Sequence, residues 1–205
     1  MTMKVKVCGL TDGKNIREIE QAGADWFGFV FHSASPRYVD EPPCYLPEKG
    51  MRVGVFVNPK LEDVLRRTDA FGLHAVQLYG ASPEFCKKMK DRGLCVIRAL
   101  PASHNLDETA APFLDAVDYL LFDTPSAQYG GTGKTYPRAC LGSYTGSVPF
   151  VLSGGIGPTS ADDIRTLRHP ALAAVDINSR FEISPGMKDV EAVGNFIKNI
   201  NKPLK

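Results

Sequence analysis

Two side chains able to move protons stand at the ends of apolar runs. Cys8 closes Lys4-Val5-Lys6-Val7 and is followed at once by Gly9-Leu10-Thr11-Asp12. Asp123 closes Tyr119-Leu120-Leu121-Phe122. A thiol that takes a proton and a carboxyl that gives one form an acid–base pair. Each also has a plainer reading. A free cysteine is commonly a small buried hydrophobe, and an aspartate after a strand is commonly a turn or cap residue. The chemical reading makes demands. A free aspartate titrates near ~3.9, so an acid role at neutral pH asks burial to raise Asp123. A free thiol near ~8.5 is only a few per cent ionised at pH 7, so a base role asks for positive field at Cys8.

Three further stretches carry binding chemistry. Ser153-Gly154-Gly155-Ile156-Gly157-Pro158 is a glycine loop whose backbone N–H groups can approach an anion closely. With Asn178-Ser179-Arg180 it reads as a phosphate site, Ser179 and Arg180 adding side-chain donors to Gly154 and Gly155. Arg37, in Ser35-Pro36-Arg37, reads either as a solvated charge or as a bidentate grip on a substrate carboxylate. Gly130-Gly131-Thr132-Gly133-Lys134-Thr135 looks like a nucleotide loop but has Gln128 where that motif requires its first glycine. Gly130 and Gly131 then belong to a surface loop or to a mobile lid beside Asp123.

The elements that must hold these residues alternate along the whole chain. Strand-like runs fall at 3–8, 26–31, 51–57, 74–78, 94–100, 118–123, 149–153 and 173–177. Their near-continuous Val, Ile, Leu and Phe mark strands buried on both faces, as in a parallel sheet. Helical spacing lies between them: Leu61, Val64, Leu65 and Phe71 share one face, as do Val190, Val193, Phe196, Ile197 and Ile200. Gly23, Gly72 and Gly93 stand where helices should stop. Pro36, Pro42, Pro43 and Pro47 leave room only for a shortened second helix. Eight βα units fit one (β/α)8 TIM barrel over 1–205, with functional residues after the C-terminal ends of the strands. A doubly wound open sheet is the alternative, because periodicity does not show closure.

Composition narrows the function classes. The 205 residues carry 24 Lys plus Arg against 23 Asp plus Glu, a net charge of +1 that gives no footprint for nucleic acid. No apolar run approaches the ~20 residues of a membrane span, and the first residues lack the pattern of a signal peptide. Five cysteines without CxxC spacing point to reduced thiols in a cytoplasmic protein. Four scattered histidines support no metal site.

Taken together these residues resemble the phosphoribosylanthranilate isomerases of tryptophan biosynthesis. The family's opening Lys-Ile/Val-Cys-Gly-Leu-Thr stands at 6–11, Gly-Phe-Val-Phe at 28–31, Ser-Pro-Arg at 35–37 and Val-Gly-Val-Phe-Val-Asn at 53–58. Asp-Thr stands at 123–124, Gly-Gly-Thr-Gly at 130–133, Gly-Gly-Ile at 154–156 and Pro-Gly-x-Lys-Asp at 185–189. The likeness runs from residue 4 to about residue 200, with three departures. Tyr79 replaces the histidine of Val-Gln-Leu-His-Gly, Arg180 replaces a glycine after strand eight, and Tyr136-Pro137-Arg138 replaces Phe-Asp-Trp. The resemblance implies an Amadori rearrangement of N-(5′-phosphoribosyl)anthranilate to a 1-deoxyribulose 5-phosphate. It implies Asp123 as acid, Cys8 as base, Arg37 on the anthranilate carboxylate, and no cofactor or metal. A monomer or homodimer acting on a small sugar phosphate is expected. The rivals are another sugar-phosphate barrel enzyme and a barrel that only binds its ligand. No lysine ends a predicted strand, which disfavours Schiff-base chemistry.

Overall fold

The computed structural model describes residues 2–124 and 138–203. Eight strands run in order: β1 (Lys4–Cys8), β2 (Trp26–Val30), β3 (Met51–Val57), β4 (Ala75–Tyr79), β5 (Cys95–Pro101), β6 (Tyr119–Asp123), β7 (Phe150–Leu152) and β8 (Leu172–Ile177). Each pairs in parallel with its sequence neighbour, and β1 closes on β8, with Lys4 opposite Ala174 and Lys6 opposite Asp176. The closed barrel excludes the open sheet. The strands sit within one residue of the expected runs at either end. A two-stranded antiparallel ribbon, β9 (Glu182–Ser184) and β10 (Met187–Lys188), follows β8 and was not expected.

Helices α1 (Gly13–Gln21), α2 (Leu61–Phe71), α3 (Pro83–Lys90), α4 (Leu106–Ala110), α5 (Ala161–Thr166) and α6 (Val190–Ile200) lie outside the barrel. Their starts follow from local chemistry. Asp12, Ser82 and Asp189 each accept a hydrogen bond from the backbone N–H three residues on, satisfying a donor the helix leaves open. Gly72 closes α2 in the left-handed region at φ 54°, where a side chain is strained. The shortened helix expected after β2 is instead loop throughout residues 31–50. The four prolines remove backbone donors there, and Tyr38 makes a single bridge back to Val30. None of the described helices is long and apolar enough to cross a membrane.

Strand alternation divides the core in two. Residues facing out, such as Val5, Val7, Phe27, Phe29, Val76 and Phe122, pack under the helices. Those facing in fill the barrel: Trp26, Val53, Ala75, Ile97, Leu121, Val151 and Ala174 form its apolar floor. Cys8, Val30 and Val55 form a smaller cluster above, with Tyr79 packed on it. Of the buried polar side chains, Gln77 and Asp176 lie on strands that also supply this apolar floor, and Lys6 lies on β1.

Candidate active site

Period two along β1 puts Lys6 and Cys8 on the same inward face. Lys6 is fully buried, and its Nζ lies 2.8 Å from Asp176 Oδ1 of its register partner strand. Asp176 Oδ2 in turn accepts from Ser153 Oγ at 3.3 Å. Such a pair is stable inside a protein only when both charges are present and hydrogen-bonded. Burial works against the Lys6 charge, but Asp176 and Cys8 outweigh it and hold the ammonium above the ordinary lysine range. Cys8 is buried beside this cation. Burial pushes its thiol up and Asp176 adds to that, while Lys6 and Lys188 pull it down without cancelling the rise. Room for the sulfur comes from Gly28 on β2, where a Cβ would meet Sγ at 2.8 Å.

Asp123 ends β6 half-buried and is linked to the cluster of Cys8, Val30 and Val55 through Tyr79, which packs on that cluster. Its Oδ1 accepts from the Thr124 backbone N–H at 2.8 Å and its Oδ2 from the Tyr79 hydroxyl at 3.0 Å. Burial raises its carboxyl above the ordinary aspartate range; the Thr124 and Tyr79 donors oppose that without reversing it. The raised Asp123 carboxyl meets the demand set on an acid; at Cys8 the positive field of Lys6 and Lys188 is present, but burial still leaves the thiol above its ordinary range.

Arg37 comes from the loop after β2, and its Nε and Nη2 donate to the two oxygens of Glu182 at 2.8 and 2.6 Å. Glu182 Oε1 also accepts from Lys188 Nζ at 2.6 Å and from the Gly186 N–H at 3.1 Å. The chain can pass here only as glycine at position 9, where a Cβ would lie 2.5 Å from Arg37 Cδ at φ 76°. Burial disfavours the Glu182 charge, but Arg37 and Lys188 outweigh it and hold the carboxyl below its ordinary range. That lowered folded pKa contributes stability that is complete above the unfolded glutamate value of about 4.3. It is lost as pH falls through the folded value. Glu182→Gln strands two buried cations and is expected to cost about 3–5 kcal/mol. Thermal melts should show a drop on the order of 10 °C near neutral pH, with the gap to wild type narrowing as the medium is acidified.

The loops after β7 and β8 meet at the C-terminal end of the barrel. Gly154 and Gly155 take left-handed φ values of 91° and 61° after β7. Pro158–Ser160 forms a single 3-10 turn leading into α5, and Ser179–Phe181 forms another after β8. Arg180 is exposed and its side chain leans over the β7 loop, its Cδ 3.3 Å from where a Cβ on Gly157 would stand. Arg180 thus lies against the loop that holds Gly154 and Gly155, and Ser179 opens the 3-10 turn that carries it. Asn178 Oδ1 accepts from Lys188 Nζ at 2.7 Å. Gly130 and Gly131 lie outside the described residues.

Lys6, Tyr79, Asp176, Glu182 and Lys188 are the site residues that reading by strand ends passed over. For Lys6 and Asp176 a signal existed: a charged residue at an inward position of a buried strand requires a partner. The lysine inside β1, rather than one at a strand end, is what supplies the cation.

Comparison with known proteins completes the picture. The profile of the family described as N-(5'phosphoribosyl)anthranilate (PRA) isomerase matches residues 5–199. The N-(5'-phosphoribosyl)anthranilate isomerase of Phocaeicola vulgatus is 45% identical over 205 residues, covering 99% of this chain and all of that one. The crystal structure of phosphoribosyl anthranilate isomerase from Thermus thermophilus superposes with a TM-score of 0.80 at 28% identity, covering 97% of this chain and 98% of that one. A phosphoribosyl anthranilate isomerase solved in complex with reduced 1-(o-carboxyphenylamino)-1-deoxyribulose 5-phosphate superposes at 0.75 with 31% identity, covering 97% and 98%.

Proposed function

The chain belongs to the N-(5'-phosphoribosyl)anthranilate isomerase family, and we propose that its upper barrel cavity carries that reaction with Asp123 as general acid and Cys8 as general base. The activity is the isomerisation of N-(5'-phosphoribosyl)anthranilate in tryptophan biosynthesis. Asp123 protonates the ribose ring oxygen. The C1–O bond breaks with its electron pair going to that oxygen, and the nitrogen lone pair closes a Schiff-base cation. Cys8 takes the proton from C2. The freed pair forms C1=C2 while the C=N electrons return to nitrogen, leaving an enolamine that tautomerises to the 2-ketone. The Schiff-base cation acidifies C2, and Lys6 and Lys188 favour the thiolate that receives its proton. Every step is a proton transfer without net redox change, so the reading asks for no cofactor or metal.

The observation that carries this reading is geometric: Cys8 on β1 stands beside the buried Lys6–Asp176 pair, and Tyr79, packed on the cluster of Cys8, Val30 and Val55, donates to Asp123 at the end of β6. The ends of the substrate have matching partners. The phosphate goes to Gly154, Gly155, Ser179 and Arg180, where left-handed glycines free backbone donors and Arg180 adds charge. Its binding energy orients the sugar. Arg37, with its Nε edge held by Glu182, turns its remaining N–H groups to the anthranilate carboxylate. We place the whole reaction in one barrel domain working in the cytoplasm, as a monomer or homodimer.

Phosphoribosylanthranilate generated in EDTA-containing buffer tests the reading through anthranilate fluorescence. Wild-type protein should accelerate its decay to the deoxyribulose product. Arg37→Ala should slow that decay on the full substrate but leave a decarboxylated analogue unaffected. Equal sensitivity of both substrates would remove Arg37 from carboxylate binding, and decay at the uncatalysed rate with wild type would defeat the mechanism as a whole.

A further inference from the structure

Position 79 is where this chain carries tyrosine in place of the histidine of the motif, and the hydroxyl it brings is used. It stands 3.0 Å from Asp123 Oδ2 and donates to it, while Gln77 Nε2, two residues back on the same face of β4, donates to the hydroxyl oxygen at 3.2 Å. Gln77 is 1% exposed, and the half-buried Tyr79 ring packs on the cluster of Cys8, Val30 and Val55. We propose that Tyr79 is a positioning residue that fixes the Asp123 carboxyl and sets its acidity, a hydrogen-bonded line Gln77–Tyr79–Asp123 reaching the acid from the barrel interior. This inference rests on the reading of Asp123 as the acid.

The arrangement follows from what each group can do. A neutral phenol has one proton and accepts through its lone pairs. With Gln77 donating to its oxygen, its own proton is left for Asp123. Burial, and after it the Asp123 charge, keep the Tyr79 phenol well above its ordinary titration range, so it stays a donor wherever the enzyme works. A donor to the ionised carboxylate lowers the carboxyl's pKa and opposes the effect of burial. Among the described residues two further side chains act on Asp123. Ser153 approaches from β7 and favours the carboxylate; Asp176 approaches from β8 and disfavours it. On β5 the register neighbour is Pro101, which does not titrate. The Thr124 N–H holds Oδ1, and the Tyr79 hydroxyl donates to Oδ2.

The test is a carbon-13 NMR titration of the Asp123 carboxyl in full-length protein, with the resonance assigned by its loss in Asp123→Asn. Tyr79→Phe keeps the ring and removes only the hydroxyl. The Asp123 midpoint should rise by about one pH unit, a tenfold change in its acidity. Placing 3-fluorotyrosine at position 79 strengthens the donor and should move the midpoint the other way. The limb of the kcat/KM pH profile that follows Asp123 should shift by the same amounts. A midpoint unmoved in both variants overturns the proposal, even if turnover falls, since a merely structural ring changes rate without moving the titration. Turnover retained by Asp123→Asn would instead defeat the acid reading. A dead Asp123→Asn beside an unmoved Tyr79→Phe midpoint would defeat this inference alone.

Discussion

Asp123→Asn is expected to lower turnover at least about 100-fold while the barrel stays folded, because a proton transfer of this kind contributes about 10²–10⁴-fold. Asparagine keeps the size of the side chain and can still accept from the Thr124 N–H, so circular dichroism should be unchanged. What it lacks is a proton to give to the ring oxygen. Substrate affinity should change little, since the residues proposed for the phosphate and the carboxylate lie elsewhere; the loss should fall on kcat. The same variant tests the carboxyl's state. Asp123 has a raised folded pKa, so it favours the folded state below the unfolded value of about 3.9. That contribution is lost as pH rises through the folded value. Wild type should therefore lose stability relative to Asp123→Asn as pH rises through that window, whatever offset the lost acceptor adds. Near-normal kcat would take Asp123 out of the mechanism. A flat stability difference would show its carboxyl to be unperturbed.

The elements were legible from sequence because a parallel barrel buries both faces of every strand, so each strand writes itself as an unbroken apolar run. The strand ends that present Cys8 and Asp123 were legible for the same reason: a polar residue closing such a run marks where the strand leaves the core. Closure was not legible, since it depends on β1 meeting β8, a pairing of residues 170 apart in the case of Lys6 and Asp176. Arg37 illustrates the limit. Its place in a loop facing the barrel mouth followed from the order of elements. Its partner Glu182 is 145 residues away, on a ribbon too short to leave a periodic signal. Tyr79 read only as a departure from a motif, and its use became visible once β4 and β6 shared one cavity. The prolines after β2 argued for a short helix, and the chain forms none, because nothing there compensates the missing backbone donors.

Cys8→Ala should be as damaging as loss of the acid, again at least about 100-fold in turnover, and for a reason that Cys8→Ser helps to separate. Alanine removes the base and leaves Lys6 paired with Asp176, so the fold and the ion pair persist. Serine restores a polar group of similar reach at the same point, beside the same cation and in the space opened by Gly28. An alcohol, however, is far harder to ionise than a thiol. If Cys8 abstracts the C2 proton as a thiolate, serine should rescue little of the lost rate. If Cys8 serves only to fill the upper barrel, both variants should turn over near normally. Deuterium at C2 of the substrate sharpens the distinction. The variants should show a larger isotope effect than wild type, because removal of that proton becomes the slow step when its base is gone. An isotope effect unchanged in Cys8→Ala would place another group on C2, and Lys6, the nearest buried cation, would have to be reread as its partner rather than that of Cys8.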